Sequence, residues 1–342
     1  MKKRYIFLIL IIVLIGIFLS EKILTAESEE SFNSKIEEQK EEEPAPYSIL
    51  FAGDMMFDRG VEKIMKESGF SYPVDMIGSF SSKFNYLVGN LEGPINEEPE
   101  DFSDESMKFS FDKRVLESLN KANFKILSLA NNHTLNTGDA GLEETKKILK
   151  ESDIDYFGDP IECDDMHVFQ KDGIVFYGAN TTFPMNCTSK EIVDWVKGVK
   201  FYNPESIFIS LMHWGEEYKA KSLKKEQDLA HQMIDNGADI VIGGHPHVVQ
   251  EIEIYNNHLI FYSLGNFIFD QYFSKETQEG LAVGLEIYPN KKVFTLYPVK
   301  NKVSQVKLME GEEKQAFLDS LSEKSSEELR DFIKQGKIEI NN

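Results

Sequence analysis

The sequence predicts a layered α/β fold. Short apolar runs alternate with amphipathic stretches from Tyr47 to Ile242, several of those runs end abruptly in polar residues, and the part that follows reads as antiparallel hairpins. The candidate strands, in order, are Ser48 to Ala52, Tyr86 to Asn90, Lys125 to Ala130, Ile207 to Met212 and Ile240 to Ile242. Each is short and largely apolar, as strands covered on both faces are. Between them Val61 to Glu67, Asp112 to Ala122, Leu142 to Glu151 and Lys224 to Asn236 carry the spacing of amphipathic helices. Such alternation demands crossover connections and stacked layers. Hairpins are expected at His167 to Gln170 with Ile174 to Gly178, at Glu251 to Tyr255 with Leu259 to Leu264, and at Leu281 to Tyr288 with Lys292 to Tyr297. Their turns are Asp172-Gly173, Asn256-Asn257 and Pro289-Asn290. From Glu312 onward a polar helix or two is expected, with Phe317, Leu318, Leu321, Leu329 and Phe332 as an apolar edge docked on the body or, as the lesser alternative, on a partner.

The 342 residues, 41% hydrophobic and 12% aromatic, suffice for a substantial core. Lys2-Lys3-Arg4 followed by an unbroken apolar stretch from Tyr5 to Leu19 has the order of an export signal or signal anchor. Because Leu24-Thr25-Ala26 lacks the small residue three positions back that cleavage needs, residues 1–20 are expected to stay as a membrane anchor with the rest of the chain outside the cell membrane. Residues 21–46, with nine Glu and three Lys and a Pro44-Ala45-Pro46 end, read as an acidic stalk. The body divides into a main domain, 47–305, and a C-terminal helical extension, 306–342. Of the net charge of −21, the anchor carries +3 and the stalk −6, which leaves −18 on the body. No basic stripe is available to neutralise phosphates, so nucleic acid is excluded as a partner. Cys163 and Cys187 are able to pair outside the membrane, although spacing does not decide it, and they do not resemble a zinc cluster.

The strand ends hold the chemistry. Ser48 to Ala52 leads to Gly53-Asp54, Tyr86 to Asn90 to Leu91-Glu92-Gly93, and Lys125 to Ala130 to Asn131-Asn132-His133. Ile207 to Met212 leads to His213-Trp214-Gly215, and Ile240 to Ile242 to the segment GGHPH, with His245 and His247. In open α/β sheets the strand ends converge on one crevice where ligands bind. Alone, Asp54 is an ordinary helix cap, Glu92 a surface acid, Asn132 a turn residue and His213 a satisfied core histidine. Together they are a mixed oxygen and nitrogen donor set without thiolate, suited to Mn, Fe or Zn. Six donors are too many for one open catalytic ion, and two fit better. Two ions bridged by a carboxylate lower the pKa of a shared water and clamp phosphoryl oxygens. Arg59 stands near Asp54 as a contact for a substrate carboxylate or phosphate, or equally as a cation neutralising nearby acids. Asn266 is expected to line the crevice, and Trp214 to form its wall or to pack in the core.

The ordered motifs GD (53–54), NLEGP (90–94), ANNH (130–133), HWG (213–215), GGHPH (243–247) and SLGNFIFDQ (263–271) resemble the capsule-synthesis family of poly-gamma-glutamate (CapA-type) proteins, a branch of the calcineurin-like metallophosphoesterases. The resemblance implies a four-layer α/β/β/α sandwich with two divalent ions at the strand ends. By carry-over Asp54 and His247 hold one ion, Asn132, His213 and His245 the other, and Glu92 bridges them. His133 would be the catalytic general acid or transition-state stabiliser. The chain departs from the wider pattern where Asp-x-His is Asp54-Met55-Met56 and where the bridging Asp is Glu92, which implies a weaker first ion site. The expected role is in synthesis, export or anchoring of an anionic capsule polymer, in company with membrane subunits of a capsule complex. A non-catalytic assembly subunit and an exported phosphodiesterase or nucleotidase are the alternatives.

Overall fold

A computed structural model of the chain describes residues 47–102, 106–160, 163, 167–183 and 187–341. The expected anchor and stalk lie outside the described residues, among which no helix is long and apolar enough to cross a membrane. In chain order the strands are β1 (Tyr47–Met55), β2 (Tyr86–Leu91), β3 (Ile95–Asn96), β4 (Phe111–Asp112), β5 (Phe124–Ser128), β6 (Asp155–Phe157), β7 (Val168–Lys171), β8 (Ile174–Asn180) and β9 (Ile207–His213). They continue with β10 (Ile240–Gly244), β11 (Ile252–Tyr255), β12 (His258–Phe261), β13 (Asn266–Ile268), β14 (Glu279–Ile287), β15 (Lys291–Lys302), β16 (Gln305–Leu308) and β17 (Lys337–Asn341). The larger sheet runs β16-β15-β14-β1-β2-β5-β6, with β13 beside the far half of β1 and β17 beside β15. The smaller runs β11-β12-β10-β9-β8-β7, and β3 pairs with β4 apart from both. In each large sheet the central strands are parallel, β1, β2, β5 and β6 in one and β8, β9, β10 and β12 in the other. The three expected hairpins form, as β7/β8, β11/β12 and β14/β15.

Alternation of side chains sorts the apolar residues into separate cores. On β1, Ile49 and Phe51 face inward with Val88 and Ile126, against Phe176, Ile209, Ile242 and Phe261 of the smaller sheet. Leu50, with Leu87 and Leu127, faces the other way. It meets Val61 and Met65 of α1 (Arg59–Ser68), Leu119 of α2 (Leu116–Lys121), and Leu142 and Leu149 of α3 (Gly138–Glu151). The outer face of the smaller sheet, with Tyr177, Phe208 and Val241, packs on Ile192 and Val196 of α4 (Ser189–Tyr202) and on Leu229 and Met233 of α5 (Lys224–Asp235). Helix, sheet, sheet and helix are therefore stacked in that order, the expected four-layer sandwich. α4 escapes a reading by periodicity because its buried stripe is only Ile192 and Val196, while Phe201 and Tyr202 are exposed. A capping box of Thr188 and Glu191 starts it instead.

The C-terminal segment departs from expectation. α6 (Gly311–Lys324) and α7 (Arg330–Gln335) dock through Phe317, Leu318, Leu321 and Leu329 onto the inter-sheet core. Phe332, however, is 47% exposed, and its neighbour Ile333 takes the buried place. Residues 306–342 are not a helical extension: β16 and β17 both pair with β15 and complete the larger sheet. The signal was the period-two run Lys337-Ile338-Glu339-Ile340, whose isoleucines are buried and whose charges are exposed. Cys163 and Cys187 are joined in a disulfide with their Cα atoms 5.2 Å apart.

Candidate metal centre

The parallel strands of both sheets end at the same edge of the sandwich. β1 delivers Asp54, β2 Asn90 and then Glu92, and the loop after β5 Asn131, Asn132 and His133. From the facing sheet β9 delivers His213 and β10 the loop with His245 and His247. Close approach needs glycine: a Cβ at Gly53 would lie 2.0 Å from the Gly265 carbonyl oxygen, and one at Gly244 would lie 2.5 Å from Asp54 Oδ1. The last turn is strained, with φ of 91° at His245 and 57° at His247. Left-handed non-glycine backbone of this kind is held by surrounding structure and clusters at functional sites.

Asp54, fully buried, accepts the Asn90 amide at 2.8 Å on Oδ1 and the His245 backbone N–H at 3.0 Å on Oδ2, with His247 Nδ1 3.4 Å away. Burial works against its ionisation, but the His247 hydrogen bond and charge outweigh it, and the carboxyl stays ionised well below the usual range. His247 shows the other side of the pair. Burial disfavours its cation, yet the Glu92 and Asp54 carboxylates push its pKa up to about 9. Burial raises Glu92 well above the usual carboxylate range, Asp54 adds to that, and His247 opposes it. His133 and His245 are held down to about 4 chiefly by burial, and His213 also falls, so these imidazoles stay neutral.

Asn132 Oδ1 lies 2.8 Å from His213 Nε2, and His133 Nε2 lies 3.9 Å from Glu92 Oε1, with its Nδ1 3.1 Å from Asn136 Oδ1. The His133 ring is tilted against Phe109, 4.4 Å between centroids. His247 Nε2 is 3.6 Å from Glu92 Oε1. Asp54, Glu92 and His247 each offer a ligand atom within 4.8 Å of one another, and so do Glu217, His245 and His247. Two buried atoms here, Glu92 Oε1 and His245 Nδ1, have no hydrogen-bond partner among the described residues. Leaving such groups unpaired costs about 1–3 kcal/mol each, and a divalent cation is the group that would satisfy both. The donor set fits such an ion.

Two residues expected at the crevice, Asn266 to line it and Trp214 as its wall or in the core, are both fully buried. Asn266 is fully buried: its amide donates to Thr277 O (2.9 Å) and Gln271 Oε1 (3.0 Å), which turns Oδ1 to His247 Nδ1 at 3.0 Å. It orients a histidine and leaves Nε2 facing Glu92, as partners of ligand histidines do. Trp214 is a core aromatic, buried among the outer helices, stacked on Tyr262 and donating Nε1–H to Tyr262 O at 2.8 Å. Alternation along β9 turns His213 inward and its neighbour outward. Arg59 is committed to Asp270 at 2.5 Å and lies over the Phe109 ring at 4.9 Å. Met56 packs in the apolar core and offers its sulfur to the Asp58 N–H at 3.0 Å.

Three residues were missed by sequence reasoning. Asn90 joins Asp54 to the centre, and Asn131 holds Asn90 Oδ1 (3.0 Å) and Leu91 O (2.8 Å) while accepting the His133 N–H at 3.0 Å. Both sit inside the quoted motifs, but nothing in a tandem Asn131-Asn132 tells which amide turns inward. The third, Glu217, is half-buried and follows the exposed Glu216 in His213-Trp214-Gly215-Glu216-Glu217-Tyr218.

A family model described as "Bacterial capsule synthesis protein PGA_cap" matches residues 48–271. The capsule biosynthesis protein CapA of Bacillus anthracis is 30% identical over 265 residues, 71% of this chain and 64% of that protein. The PGA biosynthesis protein CapA of Bacillus subtilis (strain 168) is 30% identical over 255 residues, 68% of this chain and 66% of its own length. The chain thus spans just under two thirds of these relatives. Among solved structures, TT1561 of Thermus thermophilus gives a TM-score of 0.39 at 9% identity, covering 70% of this chain and 94% of that one. A purple acid phosphatase from yellow lupin gives 0.34 at 12%, covering 76% and 52%. Both likenesses are too loose to speak for chemistry. With 48–271 matched and the family's motifs drawn together at one sheet edge, the chain belongs to the bacterial capsule synthesis protein family PGA_cap.

Proposed function

We propose that the protein is a membrane-anchored, extracytoplasmic, metallophosphoesterase-like member of this family, acting in synthesis, export or anchoring of a poly-gamma-glutamate-type capsule polymer by metal-activated hydrolysis or transfer. The observation that carries the reading is the meeting of Asp54, Glu92, Asn132, His213, His245 and His247 from two sheets, with Glu92 Oε1 and His245 Nδ1 left without partners. Bound divalent ions would supply Lewis-acid polarisation and a water of lowered pKa. Asp54, Glu92, Asn132, His213, His245 and His247 would hold them. His133, kept neutral with Nδ1 set against Asn136 Oδ1, would offer Nε2 to accept a proton. Arg59, braced by Asp270, would orient an anionic group. Between a body of charge −18 and a polyanion, the cations would also offset repulsion.

The test is turnover by the metal-loaded chain on poly-gamma-glutamate and on simple phosphoesters, beside His133→Ala. Catalysis is supported by turnover that His133→Ala abolishes while its metal content stays unchanged. One observation favours a second reading: each of the six donor side chains, apart from Asn132, is at most 7% exposed. Such occlusion suits a metal-bearing, non-catalytic assembly subunit working with membrane partners. Metal-loaded protein that turns over no substrate, with polymer output unchanged by His133→Ala, would establish that alternative.

A further inference from the structure

Glu217 is placed too deliberately for a surface acid. Its loop is stapled to the His245–His247 loop at two points, Trp214 N–H to Gly244 O (3.2 Å) and Tyr218 N–H to Pro246 O (2.8 Å). Pro246 lies between the two histidines, so the second staple fixes Glu217 against them. Tyr218 accepts a left-handed φ of 64° to make it, a conformation that costs about 1–3 kcal/mol in a non-glycine residue. The Tyr218 hydroxyl is held by the Gln271 amide at 3.1 Å. A carboxylate oxygen of Glu217 and ring nitrogens of His245 and His247 lie within 4.8 Å of one another, and the adjoining His245 Nδ1 is buried without a partner. Glu216, the preceding acid, is exposed.

We propose that Glu217 is a metal ligand, a carboxylate that joins His245 and His247 on the solvent side of the centre and tilts its preference toward Mn²⁺ over Zn²⁺. The inference rests on the reading that this pocket binds divalent ions. With Glu217 the donors comprise oxygens from Asp54, Glu92, Asn132 and Glu217 beside three imidazoles. Carboxylate and amide oxygens suit Mn²⁺, whereas a nitrogen-dominated set favours Zn²⁺.

Equilibrium dialysis of the full chain against Mn²⁺ and against Zn²⁺, with bound metal measured by elemental analysis, tests this in wild type, Glu217→Ala, Glu216→Gln and Asp54→Asn. Thermal melts of the metal-free proteins would establish that each is folded. Glu217→Ala is expected to weaken Mn²⁺ binding at least about tenfold, more than the loss for Zn²⁺, since even indirect partners of a metal are worth that much. Glu216→Gln should match wild type. If Glu217→Ala binds both metals as wild type does while Asp54→Asn does not, Glu217 is no ligand and the centre stands without it. Wild-type protein that binds neither metal overturns the metal reading itself, and the proposal with it.

Discussion

Among the described residues, two places bring three donor side chains within 4.8 Å: the strand-end centre and the cluster of Cys163, His167 and Cys187. In the second the sulfurs are bonded to each other, and the His167 ring, fully buried, sets Nδ1 against Gly178 O at 2.5 Å and Nε2 against Cys187 Sγ at 3.7 Å. In the first, Glu92 Oε1 and His245 Nδ1 are buried with no hydrogen-bond partner among the described residues. Proximity is common to both, so it is not what makes a metal centre. Unspent bonding capacity is, because a buried donor left unpaired costs free energy that only an incoming ligand recovers.

The most drastic way to break the contrast is His245→Ala with His247→Ala. The double variant is expected to lose all bound Mn, Fe or Zn while keeping its disulfide; elemental analysis beside a free-thiol count checks both. Metal retained by that variant would place the ions elsewhere. Next in size is pH. His133 and His245 have pKa values near 4 in the fold against about 6.5 unfolded. The unfolded chain therefore takes up protons first, and stability is lost as pH falls from about 6.5 toward 4. His247 is the reverse: held up to about 9, it contributes stability fully below about 6.5 and loses it as pH rises through 9. Metal-free protein should be most stable near pH 6.5, each unit of pKa difference being worth about 1.4 kcal/mol. Denaturant melts that rise steadily from pH 4 to 9 would contradict this.

A third variant addresses the other cluster. Cys163→Ser with Cys187→Ser opens a bridge of sequence separation 24 and should cost about 3 kcal/mol by loop entropy, with metal content unchanged; urea melts and elemental analysis would show a coupling if one exists. The smallest effect is expected from Asn266→Ala, which frees the His247 ring without removing a donor. Chelator competition should register roughly tenfold weaker binding, and an unaltered affinity would mean that Asp54 alone orients the imidazole.

Much of this architecture was legible because buried parallel strands announce themselves as apolar runs, and a crevice forms where they end. Asp54, Glu92, Asn132, His133, His213, His245 and His247 could be read from that rule with the family motifs. What failed has physical causes. Asn266 was expected to line the crevice and Trp214 to form its wall or pack in the core; alternation puts Trp214 in the core, and hydrogen bonding to Thr277 and Gln271 withdraws Asn266. β6 and β13 are three residues each, too short to show a period. Glu217 reaches the histidines only through a backbone staple between loops from different strands, and one-dimensional spacing carries no trace of it.

The pairing of β1 with β14, in which Tyr47 faces Ile287, bears on how this chain reaches its native state. The first strand of the body has β2 on one side but takes its other neighbour from near the far end, and β15 in turn pairs with β17. Such non-local pairing slows the approach to the native state and leaves unpaired edges exposed meanwhile, and the metal donors, split between the larger sheet and the smaller, converge only when strands of both are present.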